Sequence, residues 1–158
     1  IMTDGYERAK GLPSAGFAAG PCLLKDTMQL SAVYDSGFLL GQAAMNVNEG
    51  LPNYVVKKLK EEFDLTQMTV GILGMAFKAD VDDIRDSLSY KLGKVLRFEG
   101  ANVVYSDEFA KNPNFISKES LIKSSDLIII GSPHSAYKSL RIPDNVIVFD
   151  LWGLFRSN

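Results

Sequence analysis

The chain has 158 residues, 46% hydrophobic and 23% charged, with 17 basic against 19 acidic side chains for a net charge of −2. That length holds one domain with a proper core, or a small domain plus an appended segment. The near-balanced charge argues against a nucleic-acid or anionic-membrane surface, and one cysteine excludes an internal disulfide or a cysteine-based zinc site.

A lone cysteine also fits a reducing cytosol, so a cytoplasmic location is expected. No window approaches the roughly eighteen uninterrupted apolar residues of a membrane span. The start, Ile1-Met2-Thr3-Asp4, lacks the basic end and apolar run of a signal peptide and reads as the edge of a piece cut from a longer polypeptide.

Residues 1–21 carry glycines at 5, 11, 16 and 20 and prolines at 13 and 21, and read as an extended approach to Cys22. A short helix is expected from about Asp26 to Asp35. The sulfur then lies near a helix N-terminus, where unpaired N–H groups and the dipole favour a thiolate. Lys25 and Asp26 follow closely, and Asp26 shares the face of Cys22 if the first turn includes the cysteine. A thiolate, an ammonium and a carboxylate so close together suit covalent chemistry. The alternative is a buried cysteine under a polar helix start.

A longer helical pattern runs from about Phe38 to Phe63. Leu40, Ala44, Val47, Leu51, Val55 and Leu59 form the stripe of a helix packed along one side. Pro52 predicts a kink or restart. Such a span would reach roughly 39 Å and suits a connecting or subunit-packing helix.

At Leu65-Thr66-Gln67 the pattern changes, placing a boundary between a cysteine-and-helix unit over 1–65 and an α/β unit over 66–158. Apolar runs at Thr69–Leu73, Asn102–Tyr105, Leu127–Ile130 and Val146–Phe149 are continuous, as in strands covered on both faces. A helix with Leu88, Leu92, Val95 and Leu96 on one face and Gly100 at its end separates the first two strands. Ser117–Lys123 and Ser135–Ser139 read as shorter helices. The alternation predicts an α/β fold with a doubly wound parallel sheet.

Gly71-Ile72-Leu73-Gly74-Met75-Ala76-Phe77-Lys78 runs from strand into glycine turn, but a dinucleotide fingerprint needs three glycines and only two are present. The long segment to the next helix carries Lys78 and Arg85 at the carboxyl edge of the sheet, and both suit phosphate. Asp107, just past the second strand, stands where a nicotinamide-binding domain holds the adenosine ribose. Asp80, Asp82 and Asp83 read as a solvated acidic turn that could pair with Arg85, with Asp86 or Ser87 capping the helix. Their spacing matches no metal cage, and no metal site is expected. His134 reads as a satisfied loop histidine and Trp152 as either a core cover or a ring for a flat base.

Together these segments resemble the UDP-glucose/GDP-mannose dehydrogenase family. Phe17-Ala18-Ala19-Gly20-Pro21-Cys22-Leu23-Leu24-Lys25-Asp26 is similar to its glycine-rich cysteine motif. Gly71 to Lys78, continuing Asp82-Asp83-Ile84-Arg85-Asp86-Ser87, resembles the opening of its C-terminal nucleotide-sugar domain, and Asn46-Val47-Asn48-Glu49 the end of its central helix. The resemblance implies the C-terminal part of an enzyme that oxidises the C6 alcohol of a UDP-sugar with NAD, without the family's N-terminal NAD-binding domain. It implies Cys22 as nucleophile and Asp26 as the group handling water. Lys25 and Arg85 would lie on the cofactor side, Phe17, Phe77 and Lys78 on the sugar nucleotide, and Arg8 is a looser candidate contact. The sequence departs from the family at Ala18-Ala19 and at Trp152, where the family often has arginine. A homodimer through the central helices is implied too. The competing readings are a non-catalytic nucleotide-binding or assembly module, and a stand-alone nicotinamide-binding domain over 69–150.

Overall fold

The structure, a computed structural model, describes residues 15–35 and 37–155. Arg8 lies outside them. Helix α1 spans Leu23–Val33 and α2 spans Leu39–Glu62. A 3-10 turn at Leu65–Gln67 leads into β1 (Thr69–Leu73), α3 (Leu88–Phe98), β2 (Asn102–Ser106), α4 (Lys118–Ser124) and β3 (Leu127–Ile130). A second 3-10 turn, Ser135–Ser139, precedes β4 (Ile147–Phe149).

The four strands form one sheet in the order β2-β1-β3-β4, every pairing parallel. Strand side chains alternate between two apolar layers. Val70, Ile72, Val103, Tyr105, Leu127 and Ile129 face the layer shared with α2 and α3. Leu73, Ile128 and Ile130 face Leu121 of α4 and Tyr137. Both faces are therefore covered, which is why the strands read as unbroken apolar runs. The sheet is doubly wound, as the sequence predicts.

Local rules explain the helix starts. Ser87 caps α3 by accepting from Ser89 N–H, and Ser117 caps α4 by accepting from Ser120 N–H. Gly100 ends the α3 turn at φ +90°, a backbone that glycine alone takes without strain. Gly71 lets α4 approach, since a Cβ there would stand 2.5 Å from Leu121 and Ser125 side-chain atoms.

The short helix expected at Ser135–Ser139 is present and is of the 3-10 type. Three expectations need correcting. Helix α1 begins directly after Cys22 rather than at Asp26, because Asp26 N–H already bonds the Cys22 carbonyl at 2.8 Å. Helix α2 runs as one element through Pro52, whose ring is buried in the packing, so the restart does not occur. The apolar stripe of α2 is packed only in its C-terminal half. Val55 and Leu59 are in the core, whereas Leu40 and Val47 are 83% and 69% exposed.

Candidate functional site

Strand β1 connects outward to β2 on one side of the sheet, and the chain then returns to β3 on the other. The order thus reverses between β1 and β3, and the crevice beyond their carboxyl ends is where open α/β folds bind ligands. Residues 74–87 and 131–134 line that crevice.

A buried acid–imidazole couple organises it. The Asp107 side chain is 0% exposed; its Oδ2 accepts from Met75 N–H at 2.6 Å and Ala76 N–H at 2.9 Å. Its Oδ1 accepts from Phe109 and Ala110 N–H, both at 2.8 Å. His134, also fully buried, lies with Nε2 3.1 Å from Asp107 Oδ2, and its Nδ1 accepts from Asp80 N–H at 2.8 Å. That acceptor role leaves Nδ1 bare and makes Nε2–H the donor to Asp107. Burial pushes the Asp107 carboxyl up, but the bonds from His134, Ala110, Phe109 and Ala76 outweigh it and hold the group at about 2.

These contacts exclude the ribose role for Asp107, whose lone pairs are all engaged inside the chain. They also show that the glycine turn does not fit a dinucleotide. The Met75 and Ala76 N–H groups are occupied, and Gly74 (φ +93°) backs onto Ser132, whose nitrogen would lie 2.6 Å from a Cβ. The stand-alone nicotinamide reading loses its phosphate cradle. His134 is indeed a satisfied loop histidine.

From this base, residues 77–79 arch towards the cysteine segment. Phe77 N–H bonds the Asp83 carbonyl at 3.0 Å, and the Phe77 ring rests on Gly20, 3.1 Å from where a Cβ would stand. Lys78 is exposed. A depression of about 300 Å³ is lined by Phe17, Ala18, Phe77, Lys78, Pro133 and Trp152. Phe17 itself is 7% exposed and anchored in the core, so its ring forms floor rather than rim. Trp152 is half-buried against both apolar layers and covers Gly16, so it serves as core cover while also edging the depression.

Cys22 is exposed and sits at the N-cap of α1, which removes the buried-cysteine alternative. Asn48 of α2 clamps the segment before it, accepting from Ala18 N–H at 3.0 Å and donating back to the Ala18 carbonyl. Lys25 pairs with Asp26 at 2.9 Å, and that contact holds the ammonium above its usual range. Arg85 forks onto Asp83, with Nη2 2.6 Å from Oδ2, and feels Cys22 as well. The same fork holds Asp83 down to about 2. Cys22, Lys25, Asp26 and Arg85 are all exposed, Lys25 pairing with Asp26 and Arg85 with Asp83, while the Phe77 ring reaches the cysteine segment at Gly20. Three residues that organise the site carried no such role in the sequence reading: Asn48, Asp107 and His134. Asn48 appeared in the sequence reading only within the Asn46-Val47-Asn48-Glu49 resemblance, with no role attached to it.

Residues 71–157, more than half of the chain, match the profile of the UDP-glucose/GDP-mannose dehydrogenase family, UDP binding domain. The chain belongs to this family. It is 41% identical over 96 residues to a UDP-glucose 6-dehydrogenase of Haloferax volcanii, covering 58% of this chain and 22% of the relative. Against a UDP-N-acetyl-D-mannosamine dehydrogenase of Methanococcus aeolicus, identity is 27% over 171 aligned positions, covering 99% of this chain and 39% of the relative. A solved UDP-D-ManNAc dehydrogenase from Pyrococcus horikoshii superposes with TM-score 0.78 at 25% identity, covering 92% of this chain and 37% of that one. The chain therefore spans well under half the length of these relatives, which are nucleotide-sugar dehydrogenases. No helix among the described residues is long and apolar enough to cross a membrane.

Proposed function

We propose that the chain is the C-terminal part of an NAD-dependent nucleotide-sugar 6-dehydrogenase acting on UDP-glucose or a UDP-N-acetylhexosamine. The observation that carries this reading is an exposed cysteine at a helix N-cap, fastened through Gly20 to the Phe77–Lys78 arch at the switch point of a UDP-binding-domain fold. In this reading residues 1–65 supply the cysteine and the assembly helices, and 66–158 hold the UDP-sugar.

Lys78 places its ammonium on the diphosphate, and Phe77 with the 17–20 segment shapes the pocket beside it. The Cys22 sulfur adds to the C6 aldehyde, and its proton passes to the carbonyl oxygen, giving a thiohemiacetal. Oxidation of that carbon gives a thioester, which water cleaves to carboxylate and free thiol, with Asp26 orienting the water. Two NAD molecules, bound in turn, would each accept one hydride: the first as the C6 alcohol loses a hydride and a proton to become the aldehyde, the second as the thiohemiacetal becomes the thioester. Lys25 and Arg85, both exposed, would lie on the cofactor side, whereas the amides of the glycine turn after β1 are already engaged by Asp107. The uncovered apolar surface of α1 and α2, with Val33, Leu40 and Val47 prominent, is where a second copy docks to make a homodimer.

Calorimetric titration with UDP tests the pocket, with micromolar to millimolar binding expected. Protection of Cys22 from iodoacetamide by UDP tests the juxtaposition. No heat at millimolar UDP together with no protection would overturn the reading.

A further inference from the structure

We propose that His134 is a positioning residue: its Nδ1 sets the Phe77–Lys78 arch and so determines how tightly the chain grips a nucleoside diphosphate. The inference rests on the reading of Lys78 as a diphosphate contact.

The arch stands on two feet, and both rest on one buried couple. At its start, Met75 and Ala76 N–H bond Asp107 Oδ2. At its end, Asp80 N–H bonds His134 Nδ1 at 2.8 Å, and the Asp80 carboxylate accepts from Ser135 N–H at 2.8 Å. Residues 134 and 135 thus clasp Asp80 from both sides. The clasp holds a backbone that would otherwise relax, since Asp80 sits at φ +57°, a region a residue with a side chain enters at a cost. Between the feet, Phe77, Lys78 and Ala79 are fixed by one further backbone bond, Phe77 N–H to the Asp83 carbonyl.

The imidazole is itself immobile. Its Nε2 is 3.1 Å from Asp107, its ring lies 4.9 Å from Phe109 and meets Tyr137 edge-on at 5.2 Å, and it is fully buried. A rigid acceptor under Asp80 keeps Lys78 in one place before ligand arrives. Without it the competent arch is a fraction of the population, and apparent affinity falls by that fraction.

Two substitutions separate the ring nitrogens. In His134→Asn the amide oxygen replaces the Nδ1 acceptor, and in His134→Gln the amide nitrogen replaces the Nε2 donor. Both lose packing, so both lower stability. Only the first keeps the Asp80 foot. The expected result is UDP affinity within about threefold of the parent for H134N and a roughly tenfold loss for H134Q, the scale of one hydrogen bond. Amide hydrogen exchange at 78–80 accelerates in H134Q but not in H134N, and the imidazole 15N spectrum of the parent shows an unprotonated acceptor Nδ1. Equal weakening by both variants, or unchanged affinity and exchange in H134Q, overturns the proposal. If the parent itself fails to bind UDP, the nucleotide reading falls, and the exchange experiment still decides whether His134 sets the arch.

Discussion

Replacing Asp107 with asparagine gives the sharpest test of how the crevice is built. The carboxyl is held at about 2 in the folded chain, against about 3.9 for an unperturbed aspartate. At about 1.4 kcal/mol per pH unit, that difference is worth about 2–3 kcal/mol of folding stability. A depressed carboxyl contributes its full share above the unfolded value, so the stabilisation is complete above about pH 4 and is lost as pH falls towards 2. Asparagine never carries the charge, and its NH2 group must face one of the N–H donors that Asp107 now accepts from. That mismatch costs about another 1 kcal/mol or more.

Urea unfolding at pH 7 should therefore show D107N less stable by about 3–4 kcal/mol. With a denaturant slope of about 2 kcal/mol/M, the midpoint moves down by about 1.5–2 M. On acidification the gap must narrow, because the parent's own carboxyl takes up a proton. A variant within about 0.5 kcal/mol of the parent at pH 7 would refute the reasoning, as would a gap that stays constant down to pH 2.

Other expectations follow from single contacts. Gly74→Ala would force a Cβ to 2.6 Å from the Ser132 nitrogen at φ +93°; a loss of about 2–4 kcal/mol is expected, read as a thermal-unfolding shift. Lys78→Ala should weaken UDP by at least about tenfold, measured calorimetrically, whereas Lys118→Ala, which only breaks an exposed pair with Glu108, should leave it unchanged. Val47→Asp, at a position 69% exposed on α2, should convert the proposed homodimer to a monomer in sedimentation, and a parent that already sediments as a monomer would refute the docking of a second copy there.

The sheet was legible because burial on both faces leaves a simple mark. Leu127 to Ile130 are all fully buried, and an unbroken apolar run is what such a strand requires. Capping of α3 was narrowed to Asp86 or Ser87, and Ser87 takes the role because a cap acts within a few residues of itself. Long-range polar contacts were not legible. Asn48 reaches across 30 positions to Ala18, and His134 across 54 to Asp80, and neither spacing has a periodicity to betray it. The α2 stripe misled for a related reason. Leu40 and Val47 have the pattern of packed residues, and pattern records that a face is apolar without saying which chain covers it.

The glycine turn gathers these points into one physical argument. A dinucleotide-binding fold uses the backbone amides after its first strand to hold phosphate. Here the same amides, of Met75 and Ala76, hold the chain's own Asp107. An internal carboxylate has taken the anion's place, and it costs the fold no ligand to stay ordered. In the proposed reading, recognition of an external anion moves outward, from fixed backbone donors to the side chain of Lys78 on the arch above. A point charge on an exposed stem is screened by salt and held only as well as its backbone is held. On that proposal, the order of residues 77–80, held from below by Asp107 and His134, matters to affinity in a way that a backbone cradle would not require.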